Sequence, residues 1–180
     1  MPRLPQAGPL DIRQALVENF AANEAMNQIV LAQLQPSVWR ARPPGKVRTI
    51  AAICSHVQNI RRKWLRLSAP HLGLPRMLDR TRCTVKEVKM ALGASGEAIQ
   101  RMIEESISPD GTPVRTFQRD NWGQTWPAGV AMVHYMVCHE AHHRGQICML
   151  AHQLGFPLKA AYTMYNWERI WKECGFKRPR

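Results

Sequence analysis

The chain contains no CxxC pair, and its five cysteines (Cys54, Cys83, Cys138, Cys148 and Cys174) are odd in number. Disulfide-built secreted domains use even counts in shorter chains, so five reduced thiols in a reducing compartment are expected. No stretch approaches 18 consecutive apolar residues, and the start lacks the charged-then-apolar order of a secretory leader. A soluble, cytoplasmic protein without a membrane partner is therefore the expectation. Acidic residues are scarce, 13 against 25 Lys and Arg, leaving a formal charge of +12. Such an excess suits polyanions, but the cations are scattered: Arg40, Arg42, Lys46 and Arg48, then Arg61 to Lys63, then Lys177, Arg178 and Arg180. They form no basic stripe interleaved with aromatics, so a solvated surface is expected and nucleic acid is not an expected partner.

Internal repeats and low-complexity tracts are also lacking, and no run has the character of a strand. What is present is helical patterning over 180 residues, enough for one domain, 1–180, with a core that needs no staples. Asp11 is placed to cap a helix reaching about Leu34, with Ile12, Leu16, Phe20, Ile29 and Leu31 mostly at helical spacing. Pro36 and the Arg42–Gly45 stretch read as loop. Thr49 opens a second helix to about Leu67, whose stripe is Ile53, His56, Ile60, Trp64 and Leu67, with Arg61, Arg62 and Lys63 off it. Thr84 with Glu87 is a capping box for a third helix to about Ile107, which Gly93 and Gly96 weaken by only ~1 kcal/mol each. Pro127 suits the first turn of a fourth helix, which stops near Leu154 before Gly155 and Pro157. A shorter helix is expected at about 164–174. The sum is an all-α four-helix bundle with an additional short C-terminal helix, in an order compatible with antiparallel neighbours.

Four of the seven histidines fall between His134 and His143. His139 and His143, four apart, share a helix face, with Met132, Met136, Gln146 and Leu150 on the same side. Two imidazoles so spaced can converge on one ion. A third candidate is His56, in the apolar stripe of the second helix, where a lone histidine is more often a hydrogen-bonded core residue. The conjunction of a pair on one helix and a single histidine on another has the parts of a three-His site. Imidazoles suit Zn, Ni, Fe or Cu rather than Mg or Ca, and three protein ligands leave a coordination position open. His142 lies to one side as a second partner or rival ligand; His134 and His152 point away.

His139-Glu140-Ala141-His142-His143 also matches HExxH, in which the glutamate is the base of a zinc peptidase. Glu168 is available as a downstream ligand of one such class, but the metzincin extension is absent: Gln146 and Met149 occupy its glycine and histidine positions. Helices also stand where a substrate-aligning strand is needed. Glu140 lies about 100° around the helix from His139: a surface residue, a partner of the ligands, or a base only in a helix rotated from this arrangement.

The segment HEAHHRGQI, His139 to Ile147, resembles the DinB-like (also YfiT-like) superfamily, whose members carry a histidine in the second helix and an HxxxH pair, commonly continued as Arg-Gly-Gln, in the fourth. Thr49-Ile50-Ala51-Ala52-Ile53-Cys54-Ser55-His56 resembles the other element, and the likeness runs from about Asp11 to Gly155. It implies His56, His139 and His143 as ligands of a divalent transition metal, Zn or Ni before Fe or Mn, in a bundle that is often a homodimer. It also implies activation of a low-molecular-weight thiol for transfer or isomerisation on a small-molecule substrate. A cation favours thiolate over thiol; the same open position could activate water for hydrolysis.

Gln146 is expected to orient a ligand or donate to a bound substrate, or else to bridge helices. Arg144 reads as structural, Gly145 as a point of close helix approach, and Trp122, Trp126 and Tyr135 as packing or the wall of a pocket. The cysteines are expected in the core, with Cys138 pointing away from the ligands. Beside the enzyme stand a non-catalytic, stress-related metal-binding dimer and, third, nucleic-acid binding.

Overall fold

A computed structural model describes residues 11–108, 113–118 and 124–158. The helix expected at 164–174, with Glu168 and Cys174, and also Trp122, lies outside these residues. Five α-helices are present among them: α1 (Ile12–Gln33), α2 (Pro36–Trp39), α3 (Ile50–Ser68), α4 (Val85–Ser106) and α5 (Val130–Gln153). A two-stranded antiparallel ladder, β1 (Thr116–Phe117) with β2 (Trp126–Pro127), pairs Thr116 with Pro127 and Phe117 with Trp126.

The caps explain the helix boundaries. Asp11 accepts from the backbone N–H groups of Arg13 and Gln14, Thr49 from that of Ala52, and Thr84 and Glu87 form the full capping box; each satisfies donors that a helix start leaves without partners. α5 ends in a Schellman turn. Gly155 takes φ +84°, the Phe156 N–H bonds the Ala151 carbonyl at 2.9 Å, and the Gly155 N–H bonds that of His152 at 3.0 Å.

Three expectations need correction. Pro36 does not open a loop; it starts the one-turn helix α2, which buries Val38 and Trp39. Pro127 is not in the first turn of α5. It closes the small ladder, and the helix begins three residues later behind Gly129, whose φ of 111° makes the turn. Sequence neighbours are not all antiparallel either. One apolar cluster joins the C-terminal half of α1 to the starts of α3 and α4 and the end of α5; the other joins Phe20 to the ends of α3 and α4 and the start of α5. α3 and α4 thus run in the same sense, and the segment between them must return along the bundle. It is pinned to α3 on the way: Asn59 holds both the N–H and the carbonyl of Leu78, Gln58 the carbonyl of Arg76, and Arg62 that of Pro75. α1 and α3 each pack against both α4 and α5.

Between the two apolar clusters lies a polar layer built on Arg61, which is fully buried rather than part of a basic surface. The second buried face of α3, Val57–Arg61–Leu65, carries it inward. Its guanidinium meets Glu140 through Nε–Oε1 and Nη2–Oε2, both 2.6 Å, and Glu24 at 2.6 Å; it also donates to the Leu92 carbonyl at 2.9 Å. All four long helices thereby share one buried ion network.

Candidate metal centre

His139 and His143 lie one turn apart on α5 and face His56 on α3. One ring nitrogen from each lies within 4.8 Å of the others. The ring centroids are 4.6 Å apart for His139 and His143, 4.8 Å for His56 and His143, and 5.6 Å for His56 and His139. His143 is buried; the other two are half-buried. Nitrogens about 2.1 Å from one tetrahedral ion stand roughly 3.4 Å apart, so the rings must draw together by about an ångström to close the set. Imidazole torsions supply that readily. The donors, three nitrogens without a carboxylate, fit zinc, nickel or another first-row transition ion and not a hard cation.

Two neighbours shape the cluster. Gln146 Oε1 lies 2.8 Å from His143 Nδ1. An amide oxygen carries no proton, so Nδ1–H must donate, which leaves the Nε2 lone pair for a metal. The amide nitrogen of Gln146 in turn reaches Nε2 of His142 at 3.0 Å. Gln146 is therefore exposed yet holds a ligand, and exposed His142 acts through it, outside the convergent set. Burial, ahead of the charges of His142 and Arg48, holds the His143 pKa below the ordinary imidazole value against the raising effect of its hydrogen bond to Gln146. That favours the neutral form a ligand needs.

On the other side of His139 stand aromatic rings, Trp64 at 5.3 Å and Tyr135 at 6.1 Å, with exposed Trp126 against Tyr135 at 5.9 Å. Next to His143 an open cleft of about 510 Å³ leads to solvent.

Glu140 is neither a surface residue nor turned toward the three histidines. It is buried, and both carboxylate oxygens are spent: Arg61 takes both, and Asn23 and Asn27 bond Oε2 at 2.6 and 2.7 Å. Burial raises its pKa, but Arg61 and the two asparagines outweigh this and hold it below the ordinary carboxylate value. A carboxylate so engaged is a poor general base, which removes the physical support for reading HExxH as a peptidase motif. Arg144 serves structure as expected, donating to the side-chain oxygens of Asn23 and Asn27 at 2.6 and 2.8 Å. Gly145 has no close neighbour among the described residues: none lies within 4 Å of where its Cβ would stand. Cys54 and Cys83 are buried, but Cys138 is exposed beside His134. His134 and His152 are exposed.

The sequence reading missed the polar network of Arg61, Asn23, Asn27 and Glu140. Its signal was present in the four-residue repeat Val57–Arg61–Leu65, where an arginine interrupts an apolar row.

A family model described as the DinB family matches residues 9–173, extending beyond the Asp11–Gly155 span of the motif resemblance. A crystal structure of a protein from Exiguobacterium sibiricum, assigned to the DinB family, is similar at TM-score 0.62 and 19% identity, covering 86% of this chain and 99% of that one. At that identity the likeness speaks for the fold. No curated protein matches the chain.

Proposed function

The chain belongs to the DinB family, and on that premise we propose that it is a metal-dependent enzyme whose ion is held by His56, His139 and His143. Zinc or nickel suits the donors best, with iron or manganese as alternatives. The observation that carries this reading is the convergence of three imidazoles from two helices, within 4.8 Å, beside an open cleft.

A divalent ion there supplies Lewis acidity that lowers the pKa of a thiol or of water. The chain's own residues do the rest. Gln146 fixes the His143 ring through Nδ1–H, Trp64 and Tyr135 bound the His139 side with apolar rings, and the cleft admits a small substrate. Thiol transfer is the first reaction class and hydrolysis the second. A non-catalytic metal-binding protein would have a closed site or a fourth protein ligand such as His142; the cleft beside His143 is open, and Nε2 of His142 lies against the Gln146 amide.

The test is metal content by elemental mass spectrometry on untagged protein. About one ion per chain is expected, by the stoichiometry of a single three-His site, and it should be lost in His56→Ala, His139→Ala and His143→Ala alike. Metal that survives His56→Ala but disappears with Glu168→Ala would return the peptidase reading. No uptake of Zn, Ni, Mn or Fe on reconstitution would end the proposal.

A further inference from the structure

The cleft beside His143 has two sets of lining residues that metal binding leaves unused. The loop before α3 contributes Lys46 and Arg48, and among the described residues no carboxylate lines the cleft. Both cations are exposed, and among the described residues neither forms an ion pair. Arg40, earlier on the same chain segment, behaves differently: its guanidinium is spent on the backbone carbonyls of Thr81, Arg82 and Cys83. Arg40 thus holds the segment to the bundle, while Lys46 and Arg48 leave their charge facing a concavity. Uncompensated like charges on a concave wall raise the local concentration of anions.

The second set is apolar. Val47 and Met149, both in the cleft lining, are 58% and 63% exposed. Large apolar side chains left open in a concavity are suited to cover the apolar body of a ligand. A nucleic acid would call for a longer series of phosphate contacts and stacking aromatics, and among the described residues the lining offers two cations and no Trp, Tyr or Phe.

We infer that this cleft binds a small organic carboxylate with an apolar body, the carboxylate on Lys46 and Arg48, the body on Val47 and Met149, and the far end toward His143. The inference deepens the proposed metal-dependent reaction and rests on that reading for its chemistry, but not for the binding itself.

The experiment is a titration of the ¹⁵N-labelled full chain, metal-free and zinc-loaded, with 3-phenylpropionate and with neutral 3-phenylpropan-1-ol at low ionic strength. Backbone signals of Lys46 to Arg48 and of Met149, and the side-chain amide of Gln146, report binding. In the metal-free protein the carboxylate should bind about 10-fold more tightly than the alcohol, and Lys46→Gln with Arg48→Gln should bring the two within about 2-fold. Added salt should narrow the gap in the same direction. Absence of binding by either probe, equal binding, or a preference that survives the double substitution would overturn the inference. A preference that depends on Lys46 and Arg48 in a protein that takes up none of Zn, Ni, Mn or Fe would sink the metal reading and leave this one standing.

Discussion

His139 and Glu140 are neighbours on α5, yet they belong to environments of opposite character. Glu140 points into the centre of the bundle, where Arg61, Asn23 and Asn27 saturate its two oxygens. His139 points to α3, where its ring meets two more imidazoles beside an open cleft. The first region is closed: its opposite charges are held by direct contacts from all four long helices. The second gathers three imidazoles whose ring nitrogens converge to within 4.8 Å. Polar groups that neutralise each other specify how helices pack, whereas like donors brought together call for a ligand. The same two helices, α3 and α5, contribute to both, within one turn on α5 and about a turn and a half apart on α3.

The largest effect should come from breaking the closed region. Arg61→Ala leaves Glu24 and Glu140 buried without their cation, and removing one partner of a buried ion pair costs about 3–5 kcal/mol. Chemical denaturation should show that loss, while His56→Ala, on the other region, should cost about 1 kcal/mol or less and abolish metal uptake. Comparable destabilisation by the two substitutions would erase the distinction. The network also has a pH signature. Arg61 and the two asparagines hold Glu140 below the ordinary carboxylate value when folded, so its contribution is complete above that ordinary value and is lost as the pH falls through the lower folded one. Glu140→Gln should flatten this acid limb of the stability curve.

A smaller effect sharpens the open region. Gln146 is exposed, so Gln146→Ala should leave unfolding nearly unchanged. It removes the acceptor for His143 Nδ1–H, and outer partners of metal-bound histidines typically contribute about 10–100-fold in affinity. Competition with a chelator of known strength measures this directly. Unchanged zinc affinity would mean that the ring is held by packing alone.

The bundle and the three histidines were legible in the sequence because their signals are local: caps at Asp11, Thr49 and Thr84, an i, i+4 pair on one helix, and an apolar stripe carrying His56. The polar layer was not, because charge alone reads as exposure. Arg61 stands beside Arg62 and Lys63 and looks like part of a solvated run; only packing on a second face of α3 takes it inside. The place of Glu140 stayed open in the sequence for the same reason: α5 is turned so that Glu140 and His143 are buried while Gln146 is at the surface. The sense of α4 relative to α3 depends on a returning segment without periodicity, held by side chains such as Asn59 whose partners are 19 residues away. The start of α5 was misplaced because a proline suited to a first helical turn equally suits the edge of a two-residue ladder.

The finest test uses Gly93 and Gly96, two glycines one turn apart on α4 that the sequence cannot distinguish. Both are in ordinary helical backbone, where alanine is favoured by up to about 1 kcal/mol. Among the described residues, a Cβ at Gly93 would meet nothing within 4 Å, whereas one at Gly96 would lie 3.1 Å from Glu24 Cγ and 3.5 Å from Arg61 Nη1. Glu24 is not free to retreat, being held by Arg61 and by Gln28 at 2.6 Å each. Gly93→Ala should therefore raise stability by about 0.5–1 kcal/mol, while Gly96→Ala should lose that gain to the displaced glutamate and come out neutral or negative. Equal gains at both positions would show that the closed network yields easily at its edge. The 3.1 Å approach would then be incidental, and the rigidity ascribed to the Arg61 layer would have to reside in Glu140 and its asparagines alone.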